Sequence, residues 1–125
     1  YSYLRQAEQL LPVSPNYMQR QPDINERMRS ILNDWLVEVH LKFRLRPATF
    51  FLCIQIIDRF LQDNRVNRGR LQLVGVTAMM LACKYEEIYP PEIRDFVYIC
   101  DNAYTREQIL EMEAAILRSL DFRLS

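Results

Sequence analysis

The stretch LQLVGVTAMMLACKYEEIYPP, residues 71–91, decides the fold. No charge interrupts it from Leu71 to Cys83. A run that is apolar on every side marks a helix wrapped by others, since a surface helix needs a polar face. Gly75, Ala78 and Ala82 fall at i, i+3 and i+7, a seam of small residues along which another helix can come close. Lys84, Glu86 and Glu87 then arrive together, and Pro90 and Pro91 stop the run. The reading is a central buried helix, about Leu71 to Tyr85, whose end becomes abruptly ionic.

The flanking segments supply the helices that wrap it. Asp23 followed by Glu26 has the spacing of a capping box, and Ile24, Met28, Ile31, Leu32, Trp35, Leu36, Val39 and Phe43 keep helical period to about Phe43. Pro47 suits the first turn of a second helix, which runs to about Gln62 and is apolar around most of its circumference. DNRVNRGR, residues 63–70, reads as a loop. Pro91 starts a short fourth helix through Phe96, Val97 and Ile99. Thr105 with Gln108 makes a second capping box, opening a fifth helix with the stripe Ile109, Met112, Ile116, Leu117 and Leu120. Upstream, residues 1–11 predict a short helix, and the proline-punctuated segment to Pro22 an extended connector. The expectation is an all-α bundle of five helices over residues 23–125, with a short helix and connector over 1–22.

Composition narrows the function classes. Only two glycines, Gly69 and Gly75, argue against hairpin-rich β folds and glycine-framed phosphate loops. Sixteen cations balance sixteen anions, so no global field draws nucleic acid or an anionic membrane. Fourteen of the cations are arginine; Lys42 and Lys84 are the exceptions. Cys53, Cys83 and Cys100 sit in apolar runs without C-x-x-C spacing, and read as buried thiols of a reducing compartment, not as metal ligands. No apolar run reaches the ~18 residues of a membrane span. His40 is the single histidine, and Glu86 and Glu87 point about 100° apart on a helix, so an enzyme reading has little support. No cofactor is expected.

Four charges interrupt the apolar pattern. Arg29, Asp58, Lys84 and Glu113 each lie within or beside an apolar stripe. A buried charge costs several kcal/mol unless paired. Internal pairing of Arg29 with Asp58 accounts for the first two. Lys84 and Glu113 leave two readings open. They can form a solvated pair at a helix end, where the macrodipole favours the lysine. Or, with Glu86, Glu87, Leu81, Tyr85 and Leu117, they can be part of a partner surface. On the helix from Asp23, Met28, Ile31 and Trp35 form a second stripe beside Leu32, Leu36 and Val39. Either that helix is simply well buried, or the second stripe floors an exposed groove, anchored by Trp35 and edged by Glu38, that takes a short peptide.

Several segments carry a family resemblance. MRSILNDWLVEVH, IDRFL, LQLVGVTAMMLACKYEEIYPPEI, DFVYICDNAYT and MEAAILRSLDF occur in order. Together they resemble the N-terminal cyclin box of mitotic cyclins, nearer the B-type than the A-type, over about Tyr17 to Leu124. A second cyclin box, normally present in such cyclins, does not follow within these residues.

The resemblance implies a regulatory subunit, not an enzyme, that binds a cyclin-dependent kinase through its PSTAIRE-type C-helix. Lys84 and Glu113 match the residues that hydrogen-bond kinase backbone beside that helix. Leu81, Tyr85, Leu117, Phe122, Leu124 and, from the front helix, Tyr3 match the rest of that face. Glu86 and Glu87 match acidic positions facing arginine-bearing kinase segments. Arg29 and Asp58 match a structural ion pair. Met28, Ile31, Leu32, Trp35, Glu38, Leu71 and Gln72 match a patch that docks Arg-x-Leu motifs of substrates and inhibitors. The family acts in the nucleus and cytoplasm, in mitotic control, with no nucleic-acid or membrane partner. The rival function is a cyclin-like adaptor or transcription-factor domain, which calls for a basic stripe facing DNA.

Overall fold

The computed structural model describes residues 21–120. The predicted front helix over 1–11 and most of its connector lie outside the described residues. Within them, five α-helices follow in order: α1 Glu26–Lys42, α2 Pro47–Asp63, α3 Leu71–Glu86, α4 Ile93–Ile99 and α5 Arg106–Ser119, with a single 3-10 turn, Arg68–Arg70, before α3. No strand occurs among the described residues.

The charge-free run does what its composition demands. Every residue of α3 from Leu71 to Cys83 except Gln72 is buried. The other four helices all pack against it. Gly75 explains how α1 gets so close. A Cβ placed on Gly75 would lie 2.7 Å from Leu32 Cδ1, nearer than van der Waals contact allows. Leu36, Val39, Leu52, Ile56, Ile57, Phe96, Ile109 and Ile116 close around α3 and are essentially solvent-free. Fully burying one such side chain is worth roughly 1.5–3 kcal/mol.

Helix starts follow local chemistry, with two corrections. The cap of α1 is Asn25, whose Oδ1 accepts from the Met28 N–H at 2.9 Å. Asp23 is not the cap: its carboxylate accepts the Arg68 backbone N–H at 2.6 Å and Nε at 3.2 Å, tying the entry of α1 to the basic 3-10 turn. Those charge-assisted bonds hold the Asp23 carboxyl below its ordinary pKa. The second correction concerns α4, which starts at Ile93 and not at Pro91. The Asp95 carboxylate accepts the Glu92 N–H at 2.9 Å, fixing the start two residues later. The Thr105–Gln108 capping box at α5 is present as the spacing predicts. Gln21 is a latch the sequence did not advertise. Its amide donates to the Leu61 and Asn64 carbonyls and accepts from the Val66 N–H, bridging the end of α2 to the loop after it.

All three thiols are free and buried. Desolvation disfavours their thiolates. It pushes Cys53 far up, Cys83 up to about 12 and Cys100 up to about 11. No helix among the described residues is long and apolar enough to cross a membrane.

Candidate partner-binding site

The end of α3 and the middle of α5 carry the ionic cluster. Lys84 occupies the last turn of α3, where the helix dipole favours a cation. Glu113 lies midway along α5. Because α5 packs on α3, the two side chains meet. Lys84 Nζ donates to Glu113 Oε2 at 2.5 Å, with the lysine 49% and the glutamate 16% exposed. The pair is therefore formed before any visitor arrives, yet its ammonium still reaches solvent.

The residues around this pair divide. Tyr85 is exposed and Leu117 half-buried, both on the ends of the same two helices. Leu81 is only 2% exposed and belongs to the core, so the expectation that it forms outer surface is corrected. One turn of helix separates Leu81 from Tyr85, but α3 is wrapped up to Cys83, and the wrapping covers Leu81. Phe122, Leu124 and Tyr3 lie outside the described residues. Two apolar side chains missing from the predicted set stand out beyond the helix end: Ile88 is 79% and Tyr89 is 92% exposed. The signal for them was present. Two large apolar residues lie between an acidic pair and a proline pair, where no helical face can bury them.

Glu86 and Glu87 also part company. Glu87 Oε2 accepts the Arg46 backbone N–H at 2.8 Å and the Thr49 hydroxyl. Pro47 opens α2 and Arg46 is its N-cap, without a capping side chain of its own. Glu87 thus supplies from a distant loop the anion that the start of α2 lacks. The partner-surface expectation for these glutamates therefore meets a structural role inside the fold at Glu87. At Glu86 it is the backbone carbonyl that is used, accepting from Arg46 Nη1 at 2.9 Å.

A concavity of about 440 Å³ lies between α1 and the start of α3. Met28, Ile31, Leu32, Trp35, Leu71 and Gln72 line it, so six of the seven residues predicted for the patch come together. Glu38 is exposed, one helical turn beyond Trp35, and does not line it. Arg68 does, and it was not predicted. Asp23 holds it there, with Arg68 Nη2 at 3.1 Å from Oδ1. The volume and apolar walls suit one or two medium-sized side chains of a peptide.

Arg29 and Asp58 sit elsewhere. Their atoms are 3.2 Å apart, joining α1 to α2, with the arginine only 8% exposed. Arg29 also donates to Asn33 Oδ1. This pair works inside the fold, as its apolar neighbours in sequence imply. Among the described residues, no group of three or more His, Cys, Asp or Glu side chains is placed to hold a metal ion.

The molecule matches known proteins along its length. A family model described as the N-terminal domain of cyclins matches residues 1–125. A G2/mitotic-specific cyclin-B of Marthasterias glacialis is 60% identical over 124 residues, covering 99% of this chain and 32% of that protein. Human G2/mitotic-specific cyclin-B2 is 57% identical, with 99% and 31% covered, and cyclin-B2-2 of Oryza sativa subsp. indica 58% identical, with 100% and 30%. The chain spans about a third of the length of the curated relatives it matches. Among solved structures, a viral cyclin from herpesvirus saimiri superposes with a TM-score of 0.88 at 23% identity, over 99% of this chain and 54% of that one. At that identity the superposition establishes the fold.

Proposed function

This chain belongs to the cyclin family, by its N-terminal domain, and from that premise we propose that it is a noncatalytic regulatory subunit that binds a cyclin-dependent kinase and stimulates it. The observation that carries the reading is the Lys84–Glu113 pair, which joins the last turn of α3 to the middle of α5 with the lysine still reaching solvent. A kinase is active when its β3 lysine is paired with the C-helix glutamate and its activation loop is clear. A rigid surface that binds the inward C-helix better than the displaced one shifts the population toward activity. Lys84 and Glu113 offer a donor and acceptors to the backbone beside that helix. Tyr85, Leu117, Ile88 and Tyr89 offer the apolar area around them. Because α3 is fixed by burial on all sides, this surface has little ordering entropy left to lose on binding. Its site of action would be the nucleus and cytoplasm of dividing cells.

The concavity between α1 and α3 is proposed to take the leucine of an Arg-x-Leu segment in substrates or inhibitors. Trp35 is the anchor and Glu38 the partner for the cation. Arg68 at the same groove qualifies this. It favours segments whose cation lies toward Glu38 and whose residue nearest Arg68 is neutral or acidic.

The test is the double substitution Lys84→Ala with Glu113→Ala. It removes at once the donor and the acceptors that the surface offers to the kinase backbone. The folded double mutant should fail to stimulate a cyclin-dependent kinase in a histone phosphorylation assay. Full stimulation by a folded double mutant refutes the proposal.

A further inference from the structure

The outer face of α1 is apolar where a surface helix is ordinarily polar. Val37 is 41% and Leu41 is 67% exposed, one turn apart on the helix. Phe51 of α2, 47% exposed, extends the patch. Its neighbour Phe50, 6.3 Å away between ring centroids, lies edge-on to His40 of α1 at 5.5 Å. None of Val37, Leu41 and Phe51 lines the concavity beside Trp35 or a second one beside Lys84.

A charge stands at each end of this stripe. Asp34, Val37 and Leu41 fall at i, i+3 and i+7, on one line of the helix surface. Arg44 comes three residues after Leu41, just past the helix end. Asp34 and Arg44 are both exposed, and neither has an ion-pair partner among the described residues. Arg44 is also held where glycine is the usual residue. Its φ is 54°, in the left-handed region. Its N–H donates to the Leu41 carbonyl at 3.2 Å, and the Leu45 N–H donates to the His40 carbonyl at 3.1 Å. Those paired bonds close a helix through a left-handed residue. Glycine takes that conformation without strain, whereas the arginine Cβ crowds the backbone. The helix end does not need a second cation there, because Lys42 already occupies its last turn.

We infer that this face pairs with a second copy of the chain, the two α1 helices running antiparallel about a two-fold axis. Asp34 and Arg44 each stand five residues from Val39, and Val37 and Leu41 each stand two. An axis level with Val39 therefore sets Val37 against Leu41 of the second copy and Asp34 against its Arg44. The two-fold repeats both contacts. The stripe is acidic at one end, cationic at the other and apolar between, so its inverted copy meets it with opposite charges. Three exposed apolar side chains per copy fall short of the area of a permanent dimer, so the pairing is weak and follows chain concentration.

Sedimentation equilibrium on the chain, from about 1 to about 500 µM, reads this association. The average mass should rise from one chain toward two across that range. Leu41→Glu, at an exposed position, should keep the chain monomeric throughout. Asp34→Arg and Arg44→Asp should each weaken dimerisation about tenfold, since every dimer loses two opposite-charge contacts and gains two like-charge ones. Combining Asp34→Arg with Arg44→Asp restores the pairing in reverse and should return affinity to within about threefold of the wild type. Thermal melts establish that each variant is folded. A wild-type chain that stays monomeric, a dimer that survives Leu41→Glu, or a double variant no better than the single ones overturns the proposal.

Discussion

Arg29–Asp58 and Lys84–Glu113 are the same chemistry put to different uses. Each joins two helices distant in sequence. The first cation is 8% exposed and the second 49%. A buried cation has no water to fall back on, so losing its partner is costly and the pair fixes how α1 meets α2. A half-exposed cation is already well solvated, so its pair adds little to stability and stays available to a third group. The position of a charge relative to the wrapping of the core, more than its identity, separates scaffold from surface.

The largest effect tests that distinction directly. Arg29→Ala should lower unfolding free energy by about 3 kcal/mol in urea titrations, at the low end for a buried pair because Asp58 is 27% exposed. Lys84→Ala should cost less than about 1 kcal/mol. Equal losses would erase the difference. Next in size is Trp35→Ala, which removes an aromatic anchor from the α1 groove. It should weaken binding of an Arg-x-Leu peptide by about 2 kcal/mol, roughly thirtyfold, in fluorescence anisotropy. Stimulation of the kinase on a short generic substrate should persist, because Trp35 lines the α1 groove, whose walls include neither Lys84 nor Glu113. Equal loss in both assays would mean misfolding.

The neighbouring glutamates repeat the contrast on a smaller scale. Glu87→Ala deprives the start of α2 of its acceptor and should cost about 1 kcal/mol. Glu86→Ala should stay within about 0.5 kcal/mol, since its carbonyl, not its carboxylate, meets Arg46. A reversed order in chemical melts would reassign their roles. The smallest effect is at Gly75. Gly75→Ala gains about 1 kcal/mol of helix propensity and loses a similar amount to crowding against Leu32. Stability should barely move. Leu32 also lines the groove, so peptide affinity should fall a fewfold; an unchanged peptide affinity would show that Leu32 relaxes away from the groove.

The helices were readable because their signals are local or periodic. The charge-free run from Leu71 to Cys83, the Thr105–Gln108 box and Pro47 at the start of α2 each leave a mark within one or two turns of sequence. The six groove residues were also accessible, since four of them lie on one helix at helical spacing. What escaped was cross-chain. Asp23 looked like a cap because Glu26 stands three residues away, but Arg68, 45 residues on, claimed its carboxylate. The structural role of Glu87 was hidden because its partners, Arg46 and Thr49, lie about forty residues back. Leu81 looked like surface because it sits one turn from Tyr85.

Amino-acid order alone settled that this chain is helical, that Leu71–Cys83 forms its centre, and which charges had to find partners. Apolar periodicity and the cost of burying an ion are properties of residues, so they show in the string. Which charges ended inside, which stayed wet, and where the grooves opened were decided by how α1, α4 and α5 lie across α3. Burial depends on what covers a residue, and that cover comes from parts of the chain whose position no local pattern encodes.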